Sequence, residues 1–199
     1  QTNNLNLGCS RHLAIFNKFN IIPKFCFSCF KIQIEPQNVM ELCKLFLIFD
    51  KLILPKNNIR KCMVEIRPKV SGTYKGLIYC SSVDEADKII EKITPIISKI
   101  TKAKIKIKRG CTEYSQVFLN YKITNIKDVN FMKYKNEWQE KEDTFDKINI
   151  KKILSNGNTL GGLSISRVLT INNWLNYAKS IKDITYKEIS VEIFNSNFI

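Results

Sequence analysis

The chain has 199 residues, of which 44% are hydrophobic and 11% aromatic, so it can bury a folded core and wholesale disorder is excluded. Its 32 Lys and Arg residues outnumber 18 acidic residues, and the resulting formal charge of +14 favours an anionic partner such as nucleic acid or a phosphorylated ligand. Arg accounts for only 5 of the basic residues, which argues against base-specific DNA recognition and leaves diffuse anion attraction open.

The amino-terminal residues 1–23 form a polar lead-in that contains a short helical pattern. They lack the apolar core of a secretory signal, and no stretch of the chain reaches the roughly 20 apolar residues of a spanning helix. We therefore expect a cytoplasmic protein with no membrane partner. A chain that starts at Gln1 is compatible with a fragment of a longer protein.

Residues 24–111 alternate between strand and helix patterns. Period-two alternation predicts four strands, at residues 25–35, 60–67, 74–80 and 103–109. Two amphipathic helices lie between them, one opened by Pro36 and one by a capping box of Ser82 and Glu85. Pro95 is expected to kink or split the second helix.

This order predicts an α+β fold, a ferredoxin-like βαββαβ sandwich with two helices on one face of a four-stranded antiparallel sheet in the order 4-1-3-2. Residues 112–199 are predicted to be a mostly helical extension packed on this core. Aromatic anchors hold the extension in place, a loop occupies residues 156–162, and a last helix buries Val168 and Trp174.

Seven cysteines in a chain without an export signal predict reduced thiols rather than disulfides. The expected topology gathers five of them at one rim of the sheet, where they could bind zinc or an iron–sulfur cluster: Cys26, Cys29, Cys62, Cys80 and Cys111. Cys26 and Cys29 can share an ion only if residues 27–28 form a turn, because residues three apart in a strand point to opposite faces. Burial of these thiols as small hydrophobes remains the alternative.

Cys111 is also a weak candidate for a catalytic or redox-active residue. It follows Lys108 and Arg109 and precedes a predicted helix, and cations and a helix start both stabilise a thiolate. His12, the single histidine, is a conceivable base. A cysteine that simply fills a turn is the alternative, so whether the protein is an enzyme stays open.

The sheet face without helices is the expected anion-binding surface. Its candidate residues are basic side chains of the strands: Lys31, Arg67, Lys75, Lys104, Lys106 and Lys108. Arg109, at the end of the fourth strand, is a further anion-binding candidate. With Phe27 and Tyr79 as stacking rings, this face could bind RNA or DNA, although the third strand matches the RNA-recognition pattern poorly. Two alternatives are that the lysines protect an edge strand from pairing and that the extension covers the face.

Four segments, residues 25–36, 57–68, 72–80 and 108–114, resemble an uncharacterised region that follows tetratricopeptide repeats in bacterial proteins. The resemblance implies a longer chain whose upstream repeat array docks a protein partner. It implies no activity and no catalytic residue.

The leading hypothesis is an intracellular binding or regulatory domain with a metal-binding or redox-active cysteine rim and a basic surface for an anionic partner. The first alternative is an enzyme that uses Cys111 or acts on a phosphorylated substrate. The second is a nucleic-acid-binding module that uses the open sheet face.

Overall fold

The computed structural model describes residues 7–68, 70–149 and 164–189, and the predicted loop at residues 156–162 lies outside them. The architecture is α+β and contains a four-stranded antiparallel sheet, so both of these predictions are confirmed. The strands are β1 (Phe30–Glu35), β2 (Arg60–Val64), β3 (Tyr74–Cys80) and β4 (Lys104–Arg109), and they lie side by side in the order β2-β3-β1-β4.

The helices are α1 (Cys9–Phe19), α2 (Val39–Lys51), α3 (Val83–Ile97), α4 (Thr112–Val117), α5 (Gln139–Ile148) and α6 (Ile165–Ser180). None of the described helices is long and apolar enough to cross a membrane. A 3-10 turn at Lys24–Ser28 precedes β1, so the first strand is shorter than its alternation predicts.

Side-chain caps fix where α2 and α3 begin. The Asn38 side chain accepts a hydrogen bond from the Glu41 amide at 2.9 Å, and the Ser82 hydroxyl accepts one from the Glu85 amide at 3.1 Å. Helix α3 continues through Pro95 to Ile97, so the proline lies in the last turn and does not split the helix.

The main core lies between α2, α3 and one face of the sheet. Ile32, Ile34 and Ile78 point into it and are fully buried, each contributing about 1.5–3 kcal/mol by the usual area relation. Helix α2 crosses β3 closely at Gly76, where an added Cβ would lie 2.4 Å from a methyl carbon of Leu45. Glycine there permits the close contact.

Two smaller clusters flank this core. An aromatic cluster joins α1 to the chain after β4 through Phe16, Tyr114 and Trp138. At the other end, Trp174 of α6 packs edge-on against Phe46 of α2 at 5.4 Å between ring centroids. Val168, expected to be inward, is 52% exposed, because α6 contacts α2 mainly through its second half.

A candidate anion-binding pocket on the open sheet face

The pleat of the strands places apolar side chains on one face of the sheet and charged side chains on the other. On β1, Ile32 and Ile34 face the helices, so Lys31 and Gln33 face the other way. Lys31 pairs in register with Tyr79 of β3 and Lys108 of β4, and these three side chains therefore share the face opposite α2 and α3. We call this side the open face.

A cavity of about 290 Å³ lies on the open face. The sheet forms its floor, Cys9 and Leu13 of α1 form one wall, and residues 111–113 form another. Five cationic side chains line it together with the carboxylates of Glu65 and Glu113: Lys31, Lys61, Arg67, Lys75 and Lys108. We call this cavity the basic pocket.

Glu65 neutralises part of the charge in the basic pocket. Its two oxygens accept hydrogen bonds from Arg67 at 2.7 and 2.6 Å, and one oxygen accepts a third from Lys75 at 3.1 Å. These bonds, those from Arg67 foremost, lower the pKa of Glu65 to about 2. Arg67 also pairs with Glu113, which ties the chain after β2 to α4.

Lys31 is the most deeply buried of the pocket cations that lack a carboxylate partner among the described residues. Only 8% of it is exposed, and among the described residues it forms no ion pair with a carboxylate. Its ammonium donates to the Cys111 sulfur at 3.5 Å and lies 5.2 Å from the centre of the Tyr79 ring. Burial would by itself lower the pKa of Lys31, but negative charge on the ionised Cys111 and Tyr79 side chains raises it above that of an ordinary lysine. While those two side chains are neutral, only their contacts with the ammonium offset its burial.

Lys108 lies beside Lys31 and is half-buried. Its ammonium donates a hydrogen bond to the Thr112 hydroxyl. Burial, followed by the positive charges of Lys31 and Lys75, lowers the pKa of Lys108 to about 8. A bound anion would relieve the repulsion among these three groups.

Cys111 reaches the open face because the chain turns at Gly110. Gly110 has φ +56°, and its amide donates to the Cys29 carbonyl at 2.7 Å. A Cβ at position 110 would lie 2.1 Å from the Tyr121 hydroxyl, so both the conformation and the space require glycine. The next residue, Cys111, then lines the basic pocket beside Lys31.

The other four rim cysteines lie in different surroundings. Cys62 and Cys80 are on the helix-covered face, opposite Gly76 and Phe30 respectively. Cys26 is buried in the aromatic cluster, where its thiol donates to the Tyr114 hydroxyl at 3.6 Å. Burial raises the pKa of Cys26 to about 12, that of Cys29 to about 11 and that of Cys80 to about 12. These thiols are protonated at neutral pH.

Residues 27–28, which must form a turn for Cys26 and Cys29 to share an ion, lie within the 3-10 turn. Even so, the part of the chain that the structure describes holds no group of three or more His, Cys, Asp or Glu side chains placed to bind a metal ion. A zinc or iron–sulfur site stays a prediction, and the chemistry of these residues gives it no further support.

Three of the predicted anion-binding residues lie outside the basic pocket. Lys104 is exposed at the start of β4, and Lys106 pairs with Glu35 at 2.6 Å. Arg109 is only 2% exposed and is enclosed by aromatic rings, with its guanidinium carbon 4.2 Å from the centre of the Phe131 ring. It sits in register with Phe30, whose side chain faces the helices.

Of the two aromatic rings predicted to stack on bases, one lies outside the basic pocket and one lines it. Phe27 packs against Tyr121 and Trp138 inside the aromatic cluster. Tyr79 does line the basic pocket, but Lys31 and Lys61 lie over its ring. His12, the conceivable base, is buried and stacked on Phe25.

Lys61 and Cys9 are two of the pocket residues that the sequence pattern did not assign to this face. Lys61 alternates along β2 with Cys62, which faces the helices, so the pleat predicts that Lys61 lies on the open face. Cys9 reaches the pocket only through the docking of α1, which depends on contacts distant in sequence, such as Arg11 with Asp146 at 2.6 Å.

Comparisons of the chain with protein-family models, curated proteins and solved structures found no match. The resemblance to a region that follows tetratricopeptide repeats therefore stays a prediction. The function has to be argued from the pocket itself.

Proposed function

We propose that the protein binds a small, multiply charged anion, such as a phosphorylated metabolite, in the basic pocket. The observation that carries this proposal is Lys31, a buried ammonium with no carboxylate partner among the described residues. Burying a charge without a counterion costs several kcal/mol, and an anionic ligand would supply the missing counterion.

The balance of charge favours an anion over other ligands. Glu65 compensates Arg67 and Lys75, whereas Lys31 and Lys108 are adjacent cations whose nearest partners are a thiol and a hydroxyl. A phosphate or carboxylate group between them would accept hydrogen bonds from both ammonium groups. Gln33 on the pocket floor and Thr112 on its wall offer further polar groups.

The size of the pocket favours a small ligand over a nucleic-acid strand. A cavity of about 290 Å³ lies at the lower end of typical ligand sites. Base stacking needs accessible aromatic rings, yet Phe27 is packed among other rings and Tyr79 is covered by lysines. Binding of RNA or DNA through this face is thus the weaker alternative.

We further propose that residues 24–111 form a ferredoxin-like sandwich. The strand order β2-β3-β1-β4 and the packing of α2 and α3 on one face support this assignment. The metal-binding rim, the upstream protein partner and the cytoplasmic location rest on the sequence alone.

Titration with inorganic pyrophosphate tests the proposed function. Binding measured by calorimetry at low salt should weaken steeply as salt is added, because exposed parts of the site are screened. Lys31→Gln should abolish binding, whereas Lys104→Gln, which changes an exposed lysine of the same sheet outside the pocket, should leave it unchanged.

Equal weakening by the two substitutions would mean that net charge alone attracts the anion, and the proposal would be withdrawn. Tight binding of single-stranded RNA together with no binding of pyrophosphate would favour the nucleic-acid alternative.

A further inference from the structure

Cys111 is the cysteine of the basic pocket that touches a buried cation. Lys31 donates to its sulfur at 3.5 Å, and among the described residues Lys31 has no carboxylate to pair with. A charged donor within hydrogen-bonding distance stabilises a thiolate more than a thiol, and the thiolate is the reactive form of cysteine.

Cys111 is also accessible from the cavity, unlike the thiols of the helix-covered face. It is partly exposed and lines the pocket, whereas Cys43 and Cys80 are buried within apolar clusters. An electrophile that approaches Cys111 through the cavity meets lysine and arginine side chains of its lining. The same cations that hold an anion would therefore select which electrophile reacts.

We propose that Cys111 is a nucleophile that undergoes thiol–disulfide exchange with an anionic low-molecular-weight disulfide held by the cations of the basic pocket. This inference rests on the proposed anion site and names the chemistry that the site supports.

The exchange needs no reagent beyond the disulfide. The Cys111 thiolate attacks one sulfur of the ligand, a new S–S bond forms to Cys111, and the original S–S bond breaks. The second sulfur leaves as a thiolate and takes up the proton that Cys111 lost to solvent. Cys111 is oxidised to a mixed disulfide, and half of the ligand is reduced to a free thiol.

Lys31 has two roles in this step. Before attack its ammonium lies 3.5 Å from the sulfur, where a positive charge favours the thiolate over the thiol. Once the charge on sulfur is lost in the new S–S bond, the ammonium is free to pair with a carboxylate of the bound half. Lys108 lies next to it in register on β4 and would hold another carboxylate.

Three disulfides of different charge test the proposal on the full chain: oxidised glutathione, which is anionic, bis(2-hydroxyethyl) disulfide, which is neutral, and cystamine, which is cationic. Intact-mass spectrometry follows modification, and each rate constant is divided by that of an unstructured cysteine peptide. At low salt the normalised rate for oxidised glutathione should exceed that for the neutral reagent at least tenfold, as electrostatic steering of about 10-fold or more allows. Cystamine should be the slowest.

Matched variants identify the residues responsible. Cys111→Ser should abolish this charge-selective modification, and Cys9→Ser, which removes the other pocket thiol, should keep it. Lys31→Gln and Lys108→Gln should each reduce the preference for oxidised glutathione several-fold, while Lys104→Gln should not. Using both pocket lysines keeps the test valid if one variant folds poorly.

The outcomes separate this inference from the proposed function. Equal normalised rates for the three reagents, or selective modification that survives Cys111→Ser, would overturn the inference even if pyrophosphate still binds. If selective exchange occurs and pyrophosphate fails to bind, the fault lies with the broader anion proposal.

Discussion

Replacing Lys31 by methionine should stabilise the unliganded protein and remove its response to anions. Methionine keeps an unbranched apolar stem of similar length and removes only the buried charge. Lys31 is 8% exposed and forms no ion pair among residues 7–68, 70–149 and 164–189, so the substitution leaves no carboxylate without a partner. Such a change isolates the cost of holding an ammonium ready for a ligand.

The expected gain follows from three terms. Removing the buried ammonium saves about 3 kcal/mol of desolvation. Loss of the contact with the Tyr79 ring, at 5.2 Å, destabilises the variant by about 1 kcal/mol, and loss of the bond to the Cys111 sulfur destabilises it by about 1 kcal/mol more. A net stabilisation of about 1 kcal/mol remains, which for a domain of this size raises Tm by about 3 °C.

Calorimetric melting with and without pyrophosphate measures both effects. The unmodified chain should melt at rising temperature as pyrophosphate is added, since a ligand at about 100 times its Kd adds about 2.7 kcal/mol. Lys31→Met should start from a higher Tm and show no such rise. Lys104→Met serves as the control, because an exposed substitution outside the pocket changes stability by about 0.5 kcal/mol at most.

A Tm several degrees below that of the unmodified chain would refute this reasoning. Lys31 would then be a structural residue whose bonds to Cys111 and Tyr79 outweigh its desolvation. A stabilised variant that still responds to pyrophosphate would place the anion elsewhere.

Two further predictions concern the titration of the pocket. Because the pKa of Lys108 is about 8, pyrophosphate affinity should fall as pH rises through that value, and Lys108→Arg should bind without this loss; calorimetry that finds unchanged affinity across the range would contradict it. Glu65→Gln removes the partner of two cations, Arg67 and the 3%-exposed Lys75, and should cost about 3 kcal/mol at neutral pH in urea unfolding. Because the pKa of Glu65 is lowered to about 2, the stability that its ion pairs contribute is fully present above about pH 4.5, the ordinary pKa of a glutamate, and is lost as pH falls through about 2. A Glu65→Gln variant as stable as the unmodified chain at neutral pH would show that these ion pairs do not stabilise the fold.

The fold class and the shared face of the lysines could be predicted because both depend on local patterns. Period-two alternation in β1 and β4 separates Ile32 and Ile107 from Lys31 and Lys108, and no distant contact changes which way they point. The same rule places Arg109 opposite Lys108, on the helix side. These two neighbouring basic residues therefore lie on opposite faces of the sheet and cannot form one anion-binding surface.

The order of the strands alone does not predict which face of the sheet each cysteine side chain lies on. Cys80 and Cys111 lie near the same end of the sheet, yet Cys80 points toward the helices, while the turn at Gly110 brings Cys111 to the open face. Proximity along a rim therefore does not put two sulfurs on one side of the sheet. Nor does the sequence reveal that α1 places Cys9 over the pocket, because that depends on tertiary packing.

One face of the sheet stabilises the fold, and the other face forms the cationic pocket. The helix-covered face buries isoleucines such as Ile32 and Ile78, and their burial supplies the hydrophobic stability of the fold. The open face instead holds Lys31 and Lys108 close together in a partly dehydrated cavity, an arrangement that weakens the unliganded fold. Local energetics of that kind are expected at binding sites, where the ligand provides the compensating charge. Because the main core lies on the opposite face from this repulsion, the pocket can remain cationic without disrupting the sheet that supports it.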